Sequence, residues 1–187
     1  MKTINLLSVL LLTTLFITFT SCSSDDNPIA VNEEEVITTV TIKFTSDNDI
    51  ITLTSRDLDG DGPNAPVLDV DGNFKVNTSY VGAITFLNES QTPAENITNE
   101  VKEEGDDHQI FYNAGTLGTF NYSDSDSNNN PIGITFTFVT SSQAGNGTIT
   151  AILKHEPNKS GSNVSNGDIT NAGGSTDVDV NFSVILE

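Results

Sequence analysis

The chain has 187 residues, of which 26 are acidic and 7 are basic, so its net charge is −19. This charge excludes a nucleic-acid-binding protein, because binding to phosphate backbones depends on lysine and arginine. The sequence contains a single cysteine, which excludes an internal disulfide and any metal site built from several cysteines.

Residues 1–21 have the pattern of a secretory signal peptide, with Lys2 followed by an apolar segment from Ile4 to Phe19 that is too short to span a bilayer. The adjoining Thr20-Ser21-Cys22 resembles the lipobox of bacterial lipoproteins, in which small residues precede an acylated cysteine. The resemblance implies cleavage before Cys22 and attachment of that residue to the membrane through acyl chains such as palmitate.

The next segment, Ser23-Ser24-Asp25-Asp26, resembles the acidic export signal of Gram-negative lipoproteins displayed on the outer face of the outer membrane. The resemblance implies a lipid-anchored, surface-exposed protein. Residues 22–35 are polar and acidic and contain Pro28, which predicts a flexible tether. A single β-rich domain is predicted over residues 36–187.

Alternation of apolar and polar residues with a period of two predicts a series of short strands. They are rich in β-branched and aromatic residues and are separated by turns of Asn, Asp and Gly. The pattern predicts an all-β fold, either an antiparallel immunoglobulin-like sandwich or a small barrel. The predicted strands are Val36 to Phe44, Ile50 to Ser55, Phe74 to Val76, Tyr80 to Leu87, Gln109 to Tyr112, Gly118 to Tyr122, Ile132 to Thr140, Thr148 to Lys154 and Asp177 to Leu186.

One short helix is predicted from about Pro93 to Glu104. Thr92 is the predicted N-cap, Pro93 suits the first helical position, and Glu95 lies three residues after the cap. Acidic residues from Glu100 to Asp107 occupy the C-terminal end, where negative charge opposes the helix dipole and lowers stability.

The sharpest motif for a metal ion is the acidic loop Asp57-Leu58-Asp59-Gly60-Asp61-Gly62, which resembles the D-x-D-x-D-G loops that bind calcium. Calcium takes 6–8 oxygen ligands, and Asp57, Asp59 and Asp61 supply carboxylates, with Asp69 a candidate to complete the cage. A second run with similar spacing, which lacks the glycine, is a weaker calcium candidate: Asp124, Asp126 and Asn128. The alternative for both runs is an acidic turn.

The two histidines lie at the ends of predicted strands, His108 at the start of one and His155 after another, so antiparallel pairing could bring them together. Together with Glu156, Asp106 or Asp107 they are candidate ligands for a transition metal. Two axial histidines would also suit haem, as in all-β haem-scavenging lipoproteins. The alternative is that the histidines lie on the surface or are hydrogen-bonded without a ligand, since no local H-x-H or H-x-x-x-H spacing is present.

Catalytic motifs are absent from the sequence, which contains no nucleophile elbow, P-loop, Rossmann fingerprint or H-E-x-x-H. The chain is therefore predicted not to be an enzyme, with a surface glycan hydrolase that uses paired carboxylates kept as an alternative. The polar segment from Pro157 to Thr176 is long for a connection, which predicts either a binding loop or disorder.

Several segments together resemble a family of small acidic lipoproteins labelled "type 1 periplasmic-binding domain" proteins, which have no settled activity. True type 1 periplasmic binding proteins are longer and α/β, a fold that the strand pattern excludes here. The sequence predicts a surface-anchored, non-enzymatic binding lipoprotein that serves an outer-membrane transporter, or alternatively a metal- or haem-capture lipoprotein using the two histidines. The resemblance rests on Asp57-Leu58-Asp59-Gly60-Asp61-Gly62, Pro93-Ala94-Glu95, His108-Gln109 and His155-Glu156-Pro157-Asn158-Lys159.

Overall fold

The computed structural model describes residues 35–47, 49–60 and 62–187, which form nine strands, one α-helix and three short 3₁₀ turns. The predictions for the signal peptide, Cys22 and Asp61 lie outside the described residues. The strands and helix are β1 (Thr39–Thr45), β2 (Ile50–Arg56), β3 (Val67–Asp71), β4 (Ser79–Leu87), α1 (Ile97–Glu103), β5 (His108–Asn113), β6 (Gly118–Tyr122), β7 (Thr135–Thr140), β8 (Gly145–His155) and β9 (Ser175–Leu186).

The strands form two antiparallel sheets, one of six strands in the order β3-β2-β1-β4-β7-β6 and one of three in the order β5-β8-β9. Alternate residues of each sheet point into a shared apolar core, for example Ile42 and Phe44 of β1 and Leu153 of β8. The arrangement confirms the predicted all-β sandwich with one short helix, and within the described residues the sheets do not close into a barrel.

Aromatic side chains fill the centre of this core. The ring of Phe44 lies 4.9 Å from that of Phe74 in an edge-to-face arrangement and 5.5 Å from that of Phe136. Pairs of this kind contribute about 0.5–1.5 kcal/mol each beyond the burial of their apolar area.

The helix begins later than the sequence predicts. Its N-cap is Asn96, whose side chain accepts a hydrogen bond from the N–H of Thr98, so the predicted start at Pro93 is wrong. The reason is a backbone bridge in which Glu95 and Asn88 exchange two hydrogen bonds of 3.0 Å. This pairing holds Glu95 in an extended conformation and leaves the helix with 7 residues.

Two strand predictions also need correction, and one strand was missed. Phe74 forms only an isolated bridge with the end of β9, so Phe74 to Val76 is not a strand. Strand β3 was not predicted, because it is an edge strand with four exposed residues among its five and therefore lacks an alternating pattern. Residues 132–134 precede β7 and connect the two sheets. The carbonyl of Ile132 accepts a hydrogen bond from the N–H of Ile110 in β5, and the carbonyl of Ile134 accepts one from the N–H of Ile84 in β4.

The long polar segment after β8 packs against the outer face of β5. Val164 and Ala172 of this segment are buried against Phe111, and the side chain of Gln109 donates a 2.9 Å hydrogen bond to the carbonyl of Val164. Strand β5 is therefore covered on both faces, and its first four residues, beginning with His108, are buried.

None of the helices in the described part of the chain has the length and apolar character needed to cross a lipid bilayer.

Candidate functional site

The two histidines meet at one end of the three-stranded sheet. Strands β5 and β8 pair in a register that places His108 directly opposite His155, and the centroids of the two imidazole rings are 4.7 Å apart. This pairing confirms that antiparallel neighbours bring the histidines together. His108 is 0% exposed, because it lies on the core face of β5.

An aspartate joins the histidines through an irregularity in the sheet. The register between β8 and β9 shifts at Leu153 and Lys154, so Asp177 has no residue directly opposite it. Bulges of this kind redirect a side chain. A carboxylate oxygen of Asp177 and one ring nitrogen from each histidine all lie within 4.8 Å of one another.

This group has nearly the dimensions of a metal site. Ligands around a tetrahedral ion with bonds of about 2 Å lie roughly 3.3 Å apart. The three ligand atoms therefore need to approach one another by at most about 1.5 Å, which rotation of the partly exposed Asp177 and His155 side chains would supply.

A second group shares His108. One carboxylate oxygen each from Glu35 and Glu104 and a ring nitrogen of His108 also lie within 4.8 Å of one another. Glu35 precedes β1, and its Oε1 is 3.8 Å from Nε2 of His108. Glu104 is the C-cap of α1. The site therefore receives side chains from both sheets and from the end of the helix.

Hydrogen bonding defines which nitrogen of His108 is available. Nδ1 of His108 is 3.1 Å from the backbone oxygen of Glu104. A carbonyl oxygen only accepts, so Nδ1 carries the hydrogen and Nε2 of the neutral ring keeps its lone pair. Nε2 is buried and has no hydrogen-bond partner among the described residues, and the same is true of Nδ1 of His155. Metal-bound histidines typically donate their other N–H to a carbonyl or a carboxylate in this way.

The site concentrates negative charge around Glu35. Burial is the main cause that raises the pKa of Glu35 from 4.5 to about 7, and three neighbouring carboxylates act in the same direction. The imidazole of His155 opposes them and lowers the pKa. A bound cation would relieve this repulsion. The three carboxylates are those of Glu100, Asp177 and Glu104.

The end of the site at Glu104 is open to solvent. Glu104 is exposed and lines a cavity of about 620 Å³. The walls of this cavity combine further acidic residues of 103–107 and 124–127 with the apolar side chains of Ile132 and Ile134. A hydrated ion therefore has a route from solvent to the carboxylate of Glu104.

The residues of the first calcium prediction are partly described. The carboxylate of Asp59 accepts a 2.7 Å hydrogen bond from the side chain of Asn64, which is the main cause of its lowered pKa. One oxygen of Asp57 is buried without a hydrogen-bond partner among the described residues, and Asp69 lies on the edge strand β3. Because Asp61 lies outside the described residues, calcium binding by this loop stays a prediction.

The second calcium run has its carboxylates engaged within the protein. Asp124 accepts hydrogen bonds of 2.7 and 2.8 Å from the backbone N–H groups of Gly133 and Thr135. Asp126 accepts from the N–H of Asn128 and from the ammonium group of Lys159 at 2.9 Å. Both carboxylates therefore already have hydrogen-bond partners within the protein.

Sequence reasoning found the histidines and missed their carboxylate partners. The groups around the histidines contain Asp177, Glu35 and Glu104, whereas the predicted partners were Asp106, Asp107 and Glu156. The side chain of Asp106 accepts hydrogen bonds from Ser127 instead. The signal at Glu35 in the sequence is its charge alone, at the end of the acidic segment that precedes β1.

Comparison with known proteins yields no relative for this arrangement: no protein-family model, no curated protein and no solved structure matches the chain.

Proposed function

We propose that this protein binds a divalent transition metal ion, with Zn²⁺ as the reference ion, through His108, His155 and Asp177. Glu35 is the proposed fourth ligand. The observation that carries the proposal is the buried Nε2 of His108, which has no hydrogen-bond partner among the described residues while Nδ1 is held by the carbonyl of Glu104.

The ligand types favour a transition metal over calcium at this site. Imidazole nitrogens suit zinc, copper, nickel and iron, whereas calcium and magnesium prefer an all-oxygen set. Two imidazoles and two carboxylates give four ligands, the number found in closed zinc sites. The proposed role is therefore binding rather than catalysis.

The metal would also link the two layers of the sandwich. Glu35 precedes β1 of the six-stranded sheet, whereas His108, His155 and Asp177 belong to the three strands of the other sheet. An ion that binds only the folded state adds stability according to its concentration and affinity. Zinc should therefore raise the free energy of unfolding as well as saturate a binding curve.

Haem is less well supported than a single ion. Two axial histidines must lie on opposite faces of a porphyrin. The imidazoles here belong to directly opposed residues of adjacent strands, with ring centroids 4.7 Å apart. This spacing leaves no slot for a porphyrin between the rings.

The location of the protein is part of the proposal. The lipobox-like sequence at Cys22 and the acidic run at Asp25 and Asp26 support a lipid-anchored protein on the surface of the outer membrane. We propose that it captures metal there beside an outer-membrane transporter. Replacement of Cys22 with Ala should release it from membranes, and a variant that stays in the outer-membrane fraction after a high-salt wash would contradict the anchor.

The test is calorimetric titration of Zn²⁺ into chelator-free protein. His108→Ala and His155→Ala should each weaken zinc binding by at least ~100-fold, since loss of an outer partner alone costs 10–100-fold. Asp177→Asn should weaken binding in the same direction. Asp179→Asn is the matched control, because Asp179 is an exposed acid on the same strand. Unchanged zinc affinity in both histidine variants would overturn the proposal.

A further inference from the structure

A buried hydroxyl lies opposite one of the histidines and is not among the proposed ligands. Ser175 is the first residue of β9, and it pairs directly with His155 of β8. Its Oγ is buried and has no hydrogen-bond partner among the described residues. Polar atoms buried in this way are uncommon and lower stability, which points to a partner that the hydroxyl gains in another state of the site.

The imidazole opposite this hydroxyl has the complementary gap. Nδ1 of His155 is also buried and has no hydrogen-bond partner in the described part of the chain. Directly opposed residues of an antiparallel pair share one face of the sheet, with Cβ atoms about 4.5–5.5 Å apart. Rotation about the χ1 bonds brings an imidazole nitrogen and a serine oxygen into hydrogen-bond distance across such a gap. The two unpartnered atoms therefore belong to side chains that can reach each other.

His108 shows what such a bond does to a ring. The carbonyl of Glu104 accepts the Nδ1–H of His108, so Nε2 keeps the lone pair. Metal-bound histidines typically have this arrangement, with the second N–H held by an acceptor outside the ligand set. Nδ1 of His155 has no such acceptor among the described residues, and Oγ of Ser175 is the buried oxygen on the residue directly across from it.

We infer that Ser175 is a positioning residue of the metal site. When the ion binds, Oγ of Ser175 accepts the Nδ1–H of His155 and directs Nε2 of that ring to the metal. The inference rests on the proposed metal site at His108 and His155. Both histidines then present Nε2 to the ion, one with its Nδ1–H held by a carbonyl and the other with its Nδ1–H held by a hydroxyl. Ser175 itself does not contact the ion.

The experiment measures zinc affinity and metal-free stability on the same variants. In calorimetric titration with Zn²⁺, Ser175→Ala should bind about 10–100-fold more weakly than wild type, the loss that follows removal of an outer partner. Without zinc, Ser175→Ala should be at least as stable as wild type in urea, because the hydroxyl makes no hydrogen bond there. A merely structural role would give lower stability and unchanged zinc affinity, and that result would overturn the inference.

Ser183→Ala is the matched control. Ser183 is an exposed serine on the same strand, so this variant should keep both the zinc affinity and the stability of the wild type. Nitrogen-15 NMR of the zinc-loaded wild type should show the hydrogen of the His155 ring on Nδ1 and the metal on Nε2. Zinc bound to Nδ1 of His155 would contradict the role of Ser175.

The outcomes separate this inference from the metal site on which it rests. If the wild type binds zinc and both histidine variants lose it, an unchanged zinc affinity in Ser175→Ala overturns the role of Ser175 and leaves the site intact. A wild type that binds no zinc overturns both.

Discussion

Two regions of this molecule bury carboxylates but place different groups beside them. In the first, Asp126 has a side chain that is 1% exposed and pairs with Lys159, whose side chain is 5% exposed, at 2.9 Å. The ammonium group of Lys159 also donates to the carbonyls of Gly105 and Pro131. In the second, Glu35 and Asp177 surround two imidazoles, and His108 Nε2 lacks a hydrogen-bond partner among the described residues.

The difference appears in the direction of two pKa shifts. Burial alone would raise the pKa of Asp126, but the hydrogen bond from Lys159 and the N–H of Asn130 outweigh it and lower the pKa. Burial and neighbouring carboxylates raise the pKa of Glu35 instead. The first region contains its own cation, whereas within the described part of the chain no lysine or arginine forms an ion pair with Glu35.

Loss of the buried ammonium group of Lys159 should give the largest decrease in the free energy of unfolding. Lys159→Met leaves the carboxylate of Asp126 buried without its partner, and breaking a buried pair in this way costs about 3–5 kcal/mol. The loss should appear as a lower free energy of unfolding in urea, both with and without zinc. Lys75→Met is the control, because Lys75 pairs with Glu187 on the surface, where such pairs contribute about 0–1 kcal/mol. Equal losses in the two variants would contradict the contrast.

Zinc should supply the missing cation of the second region. At a free zinc concentration of 100 times the dissociation constant, binding should add about 2.7 kcal/mol to the free energy of unfolding. For a domain of this size the melting temperature should rise by about 2–4 °C per kcal/mol. His155→Ala should remove the rise, whereas an equal rise in wild type and variant would place the zinc elsewhere.

The position of His155 should depend on the absence of a side chain at Gly174. Gly174 has φ of +66°, and a Cβ there would collide with the backbone oxygens of His155 and Glu156. Gly174→Ala should therefore displace the histidine and weaken zinc binding. Gly173→Ala is the matched control, since Gly173 has φ of +60° and open space around its Cβ position. Both variants should lose about 1–2 kcal/mol from the positive φ, and zinc affinity should fall only for Gly174→Ala.

Deprotonation of Glu35 should make the stability of the metal-free protein depend on pH. Its folded-state pKa of about 7 lies above the ordinary value of 4.5, so the folded state holds the proton more tightly than the unfolded state. The metal-free wild type should therefore lose stability as pH rises from about 4.5 through 7. Glu35→Gln should lack this loss and should be more stable than wild type at pH 8 without metal. The same variant should bind zinc more weakly. If the metal-free wild type and Glu35→Gln have the same stability at all pH values, the raised pKa of Glu35 is contradicted.

The sequence predicted what depends on local pattern and missed what depends on distant pairing. Alternation identified most strands, and the positions of His108 and His155 at strand ends made their contact one of the alternatives that the sequence left open. The role of Asp177 follows from a register shift between β8 and β9, which no pattern along β9 reveals. Glu35 reaches the site because the start of β1 lies near α1 and β5, and that proximity is a property of how the two sheets pack.

The helix illustrates the same limit. The capping signals at Thr92 and Glu95 were overridden by the backbone bridge between Asn88 and Glu95, a tertiary contact. The acidic C-terminal end was visible in the sequence, but its meaning depended on Glu104 lying beside His108. Only the fold shows that one of these acidic side chains, Glu104, lies beside a buried histidine.

X-ray absorption at the zinc edge, on protein loaded with one equivalent of Zn²⁺, tests the central claim most directly. The account predicts two imidazole nitrogens and carboxylate oxygens at about 2.0–2.2 Å from the metal, with the loss of one imidazole in His155→Ala. A spectrum with oxygen ligands only, unchanged in His155→Ala, would show that the histidine pair does not bind the metal.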